Sequence, residues 1–273
     1  MKYKLFISDY DGTLGVAPKN DIDSETVSAI KKFTEQGGIF VVCSGRETTS
    51  ITRILRESNL DKGLLVSFQG ARITDLNTGE NIFDGGLDDK VAIDILNSVE
   101  YSGLTPLAYV GSTFFYNELN PYTERYENAV RLKGFVTDVK EYIRENKLKT
   151  SKICWLGDNE LVNKVADEMN ERYKGKGIKF NSGARNLLEA INENCGKGTA
   201  VRFLADYYGV GLDQVITVGD STNDIELVSG PWHGVAVGDG REELKAVAKE
   251  ITVPFKEKPV LTLLKKYCLT KDE

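Results

Sequence analysis

A repeated local pattern constrains this chain most: a short apolar run, a polar turn, then a helix-period segment. YKLFIS runs into Asp9, IFVVC (39–43) runs into Ser44-Gly45-Arg46, and VITVG (215–219) runs into Asp220. Such runs read as strands buried on both faces, the condition of strands in a parallel sheet. Residues 24–36 read as a helix, with Asp23 as N-cap, Ile22 and Val27 as a hydrophobic staple, and Gly37 where a C-cap glycine belongs. The helix after Arg46 places Ile51, Ile54 and Leu55 on one face, and LLVSF (64–68) reads as a third strand. Towards the other end come a helix over 198–208 stopped by Gly209, a short helix near 224–229, a strand GVAVG (234–238), a helix over 241–249 and an edge strand EITV (250–253). This alternation predicts an α/β fold, a doubly wound parallel sheet with helices on both faces.

The middle of the chain departs from that pattern. From about Phe83 it is richer in tyrosine and polar residues. Strand candidates are LAYV (107–110), TFFY (113–116), KICWLG (152–157) and IKFN (178–181), with helices at 88–101, 121–132 and 158–173. The expectation is a core made of residues 1–83 and 192–273, interrupted by an inserted α+β domain over 84–191. The tail KYCLTKDE is expected to fray.

Composition removes several classes of function. The net charge is −6 with no lysine or arginine block, which argues against nucleic acid or a membrane surface as partner. No apolar run is long enough to span a bilayer, and the start MKYKLFISDYDGT is a poor signal peptide, so a cytoplasmic location is expected. Cys43, Cys154, Cys195 and Cys268 are scattered without a CxxC pair and read as free thiols. His233 is the single histidine, which rules out a multi-histidine metal site. Acid–base and metal chemistry must fall to carboxylates, of which there are 41.

Two acidic segments stand out. Asp9-Tyr10-Asp11-Gly12-Thr13 ends an apolar strand, where paired carboxylates are costly unless a partner compensates them. Gly219-Asp220-Ser221-Thr222-Asn223-Asp224 ends another. In open α/β sheets the carboxyl ends of strands form the ligand edge, so Asp9, Asp220 and Asp224 can converge on a hard cation. The plainer readings are turn chemistry at Asp11-Gly12 and a helix cap at Ser221 or Asn223. Ser44-Gly45-Arg46 before a helix suits an anion or simply a cap. Lys197, flanked by glycines, suits a phosphate contact but read alone is a solvated surface lysine. Its segment is not a P-loop, and Gly238-Asp239-Gly240 is too short for a dinucleotide fingerprint.

Taken in order, DxDGT, a strand-terminal Ser-Gly-Arg, a lysine before a helix and GDxxND resemble the haloacid-dehalogenase-like (HAD) superfamily. The length of the insert resembles the Cof-type phosphatases with a type IIB cap, and GVAVGDGREELKAVAKEIT resembles the segment after GDxxND in that group. The resemblance implies a Mg2+-dependent phosphatase acting on small phosphorylated metabolites. Asp9 is then the nucleophile that becomes an aspartyl-phosphate. Asp11 is the general acid–base, with its backbone carbonyl on the metal. Asp220 completes the protein's metal ligands, and Asp224 and Asn223 orient them. Ser44, Gly45, Lys197 and Asn223 hold the phosphoryl group, and Arg46, Gln69 and Arg72 are candidate contacts to substrate or cap. Gln69-Gly70-Ala71 stands where relatives often have Asn-Gly-Ala, and Gly238-Asp239-Gly240 where they often have GNA; both weaken inference about the substrate. Sugar phosphates come first, ahead of nucleotides, flavin mononucleotide and pyridoxal phosphate. The alternatives are a phosphomutase or phosphotransferase, and a non-catalytic phosphate-binding module. The sequence leaves the oligomeric state open.

Overall fold

The computed structural model describes residues 1–16, 21–111, 113–184 and 186–269. The chain divides into two compact units, Met1–Ile82 with Gly196–Glu273, and Phe83–Cys195. The first stretch holds β1 (Leu5–Ser8), α1 (Ser24–Glu35), β2 (Ile39–Cys43), α2 (Thr48–Glu57), β3 (Leu64–Ser67), β4 (Arg72–Asp75) and β5 (Asn81–Asp84). The insert follows with α3 (Asp89–Val99), β6 (Thr105–Val110), β7 (Thr113–Tyr116), α4 (Pro121–Val130), β8 (Phe135–Val136), α5 (Val139–Asn146), β9 (Thr150–Leu156), α6 (Asn159–Arg172), β10 (Ile178–Ala184) and β11 (Leu187–Asn192). The chain then returns through α7 (Lys197–Tyr208), β12 (Val215–Gly219), α8 (Ile225–Val228), β13 (His233–Ala236), α9 (Glu242–Lys245), β14 (Glu250–Ile251) and α10 (Pro259–Leu263).

Among the described residues the first unit carries an eight-stranded sheet in the order β14-β13-β12-β1-β2-β3-β4-β5. The apolar strand β1 is buried throughout and lies at the centre. It pairs in parallel with β12, Ser8 opposite Val218, and with β2, Ser8 opposite Val42. Parallel pairing in this register delivers the residues after β1, β2 and β12 to one edge. Asp23 caps α1 as expected, its side chain accepting from the amides of Glu25 at 2.8 Å and Thr26 at 3.3 Å. Ala29, Ile30 and Phe33 of α1 and Ile51, Ile54 and Leu55 of α2 join the same core as Phe6, Val42, Ile216 and Val218.

Several expectations are corrected. Phe68 does not continue β3, because it turns into a left-handed conformation. The helix expected over 241–249 is only Glu242–Lys245: the amide of Lys249 donates to Gly234, drawing the chain out of the helix and into β14. GVAVG yields a strand that starts one residue earlier, at His233, and ends two earlier, at Ala236, and EITV a strand of two residues. The sheet is not wholly parallel, since β4 runs antiparallel to β3. The tail does not fray from Lys266. Leu264–Cys268 forms a turn of π-helix, Cys268 is buried, and Tyr267 accepts the Lys2 amide and stacks edge-on against Tyr3. Residues 270–273 lie outside the described residues.

Among the described residues the second unit carries a six-stranded sheet, β10-β11-β9-β6-β7-β8, antiparallel except where β8 joins β7. Its own core gathers Ile95 of α3, Ile143 of α5 and Val162 of α6 with Ala108, Ile153 and Trp155 of the sheet. Its two ends fasten to each other: the Asn192 amide group and the Cys195 thiol both donate to the Gly85 carbonyl, at 2.9 and 3.1 Å. All four cysteines are buried and free. Among the described residues no helix is long and apolar enough to cross a membrane.

Candidate active site

Asp9 follows the last residue of β1, and its amide donates to the Val218 carbonyl at 2.9 Å. That single bond fixes the start of the DxDGT turn against the strand that delivers Asp220. Lys197, the first residue of α7, sends its ammonium to Asp9 Oδ1 and Asp224 Oδ1, 2.5 Å each. It is 1% exposed, so the plain reading of a solvated lysine is wrong at this position. Glycines permit the approach. A Cβ on Gly196 would overlap the Glu226 carboxylate, and one on Gly70 would overlap the Gly196 carbonyl.

Asp224 accepts from the Asp220 and Ser221 amides, 3.1 Å each, through its other oxygen. Its position requires Gly219, where a Cβ would come within 2.5 Å of the Asp224 Cβ. Asp220 in turn lies beneath Gly12, where φ is +83° and a Cβ would stand 2.5 Å from Asp220 Oδ2. The Thr13 hydroxyl donates to Asp220 at 3.1 Å. Thr13 is a site residue that the sequence reasoning does not single out, although its place in the DxDGT motif was the available signal.

Burial and like charge dominate the electrostatics. Burial pushes the Asp9 carboxyl well up, Lys197 pulls it back, and Asp224 and Asp220 push it further. Burial and repulsion from Asp224 raise Asp220 to about 6 against the opposing pull of Thr13 and Lys197. Burial works against charge on Lys197, but Asp9 and Asp224 outweigh it and hold the ammonium protonated. Burial lifts the neighbouring Cys43 thiol to about 12, which leaves it inert as a nucleophile. Asp9, Asp220 and Asp224 offer oxygens that all lie within 4.8 Å of one another. Three clustered carboxylates against one ammonium form an all-oxygen, electron-rich donor set, which fits a hard divalent cation such as Mg2+.

Asp11 is placed differently. Its carboxylate is 47% exposed and stands outside the three-acid cluster, gripped by Arg46 through Nε at 2.8 Å and Nη2 at 2.6 Å. The Arg46 guanidinium lies 5.0 Å above the Tyr10 ring.

Beside it runs a second, largely neutral surface. Ser44 is buried, and its hydroxyl accepts the Arg46 amide at 3.1 Å. Glu47, not Ser44, caps α2 by accepting from the amides of Thr49 and Ser50. Gly45 is pressed against the Gln69 side chain, where any Cβ would overlap the amide. Phe68, Gln69 and Gly70 carry φ of +51°, +58° and +103° in succession. This costly turn is pinned by two bonds, from the Phe68 amide to the Arg46 carbonyl at 2.9 Å and from the Gln69 amide to the Ser44 carbonyl at 3.1 Å. The Asn223 amide reaches Gln69 Oε1 at 3.4 Å. Arg72 is 2% exposed and packs its guanidinium 5.5 Å from the Phe68 ring, supporting the turn from within. Fold and interactions thus bring together Asp9, Lys197, Asp220 and Asp224, tie Ser44, Gly45, Gln69 and Asn223 into one rim, and join Asp11 to Arg46.

A family model described as haloacid dehalogenase-like hydrolase matches residues 6–264. A Haemophilus influenzae protein that carries a provisional phosphatase name is 30% identical over 97% of this chain and 98% of its own length. The HMP-PP phosphatase of Serratia proteamaculans is 24% identical over 92% of this chain and 89% of its own. Among solved structures, a haloacid dehalogenase-like hydrolase from Bacteroides thetaiotaomicron superposes with a TM-score of 0.84 at 25% identity, covering 97% of this chain and 99% of that one. A Thermotoga maritima protein shares the fold with a TM-score of 0.88 at 21% identity, covering 99% and 98%. With its strand-end carboxylates and buried lysine in place, the chain belongs to the haloacid dehalogenase-like hydrolases, in their Cof-type phosphatase group.

Proposed function

We propose that this phosphatase hydrolyses monoesters of small phosphorylated metabolites, sugar phosphates first, through a phosphoryl group carried on Asp9 and with Mg2+ as cofactor. The observation that carries this reading is the Lys197 ammonium clamped between Asp9 and Asp224 beside Asp220. It keeps a buried carboxylate close to a fixed positive charge, which a carboxylate needs if it is to approach an anionic phosphoryl group. Asp9 and Asp220 would hold the metal through their carboxylates and Asp11 through its backbone carbonyl, while Asp224 fixes the loop that carries Asp220. When bound, Mg2+ supplies charge neutralisation on the phosphoryl oxygens.

The chain's own groups do the rest. Asp9 attacks phosphorus while the Ser44 hydroxyl, the Gly45 amide, Lys197 and Asn223 hold the phosphoryl oxygens. Asp11 gives a proton to the leaving oxygen, then takes one from the water that releases phosphate. Arg46, Gln69 and Arg72 are assigned to the leaving-group side, directly or by supporting the turn there. The Phe83–Cys195 unit is assigned the choice of leaving group, on the resemblance of the insert's length to the caps of the Cof-type phosphatases.

The test is turnover of 4-nitrophenyl phosphate with Mg2+. Asp9→Asn keeps the side-chain volume and should cut kcat by at least about 1,000-fold. A variant as fast as the wild type ends the nucleophile assignment. Phosphate release across sugar phosphates, nucleotides and HMP-PP then names the substrate class. The last belongs in the panel because relatives carry that activity in their names.

A further inference from the structure

We infer that Arg46 is a positioning residue for Asp11, and that its effect falls chiefly on the second half of the reaction, in which water attacks. The inference rests on the proposed Asp9–Asp11 chemistry and deepens it. Both guanidinium nitrogens that face Asp11 are used, Nε to one carboxylate oxygen at 2.8 Å and Nη2 to the other at 2.6 Å. A two-point fork of this kind fixes the plane of a carboxylate as well as its place. The fork is itself held. The Arg46 amide donates to Ser44 Oγ, its carbonyl accepts the Phe68 amide, and its guanidinium rests on the Tyr10 ring. Tyr10 is anchored in turn, its carbonyl accepting the amides of Leu14 and Gly15 at 3.0 and 2.8 Å. Asp11 is 47% exposed, and among the described residues this fork supplies the side-chain hydrogen bonds to its carboxylate.

The two half-reactions make different demands on that carboxylate. In the first, an Asp9 oxygen bonds to phosphorus, the bond from phosphorus to the ester oxygen breaks, and the electron pair leaves on that oxygen. The reacting oxygen is tethered to phosphorus until it departs. In the second, a water oxygen bonds to phosphorus, its proton passes to the Asp11 carboxylate, and the phosphorus–oxygen bond to Asp9 breaks with the electron pair returning to Asp9. Here the water is free, so capture depends on a stationary base. Orientation losses of this sort cost rate steeply.

With 4-nitrophenyl phosphate the phenolate leaves without needing a proton, so the two halves separate cleanly. Rapid mixing with Mg2+ is compared for wild type, Arg46→Met, Arg46→Lys and Asp9→Asn, with a thermal melt of each. The expected result for Arg46→Met is a burst of about one nitrophenolate per enzyme followed by a steady rate about 10- to 100-fold below wild type. Arg46→Lys should recover part of the steady rate, since an ammonium restores charge without the fork. Equal slowing of burst and steady state, or a raised KM with kcat kept, overturns the inference. If Arg46→Met does not fold, Arg46→Lys decides alone, and a burst-to-steady ratio equal to wild type overturns it. An Asp9→Asn variant as active as wild type overturns the underlying chemistry as well. A dead Asp9→Asn beside an unchanged Arg46→Met ratio overturns only the role of Arg46.

Discussion

Glu250, at the edge strand β14, is bonded from three residues: Lys266 Nζ donates to Oε1 at 2.8 Å, Tyr267 Oη donates to Oε2 at 2.7 Å, and His233 Nε2 lies 2.9 Å from Oε2. Burial pushes this carboxyl up, but the three hydrogen bonds outweigh it and bring it from 4.5 to about 2. The native state therefore favours the ionised form more than the unfolded chain does. That stability is fully present above about pH 4.5 and is lost as pH falls towards about 2. Urea midpoints at about pH 6 and about pH 3 should differ less in Glu250→Gln than in wild type. Equal pH dependence in both proteins would contradict the assignment. None of this was legible in the sequence, because the three partners come from two distant segments with no motif to mark them. At the other edge the opposite holds. Asp9, Asp220 and Asp224 were legible because acids at the end of apolar runs violate the burial rule so openly. Lys197 was legible only through the order of the motifs, since its burial depends on the missing side chains of Gly70 and Gly196, the second leaving room for the Glu226 carboxylate.

The turn after β3 shows the same limit for an element. Phe68 and Gln69 bear side chains and still adopt left-handed φ, a conformation that costs each of them roughly 1 kcal/mol. Local propensity argues against it, so LLVSF reads as strand to its end. The conformation is enforced by the two amide bonds to Ser44 and Arg46 and by the Arg72 guanidinium against the Phe68 ring. Gly70 is the one residue there whose type carries the signal. Gly70→Ala should destabilise the protein by about 1–3 kcal/mol, from its φ of +103° and from the Cβ driven against the Gly196 carbonyl. Because Gly196 immediately precedes Lys197, kcat for 4-nitrophenyl phosphate should fall as well. Urea unfolding and steady-state kinetics check both parts, and a variant unchanged in either would show that the backbone yields more easily than the packing implies. The strands β4 and β5 escaped the sequence reading for a related reason: RITD and NIFD are too short and too polar to show a period.

For the molecule as a whole, the alternating pattern was enough to place β1, β2, β3 and β12 in one parallel sheet, and it fails within the insert. There IKFN marks β10 but not its partner β11, and neither β8, β11 nor α5 is announced by a local run. The Phe83–Cys195 unit has its own sheet and its own apolar core. Expressed alone, it should fold, giving a single cooperative thermal transition by circular dichroism with a mixed helix–strand spectrum. A broad, non-cooperative melt would show that it depends on the rest of the chain. The bonds from Asn192 and Cys195 to Gly85 bring the two ends of that unit side by side. To the surrounding fold it is therefore a graft on a closed stem, since a loop whose ends are already joined adds little further entropic cost however long it grows. Descendants of this chain can lengthen, shorten or redecorate the graft while the strand carrying Asp9 and the helix carrying Lys197 keep their register.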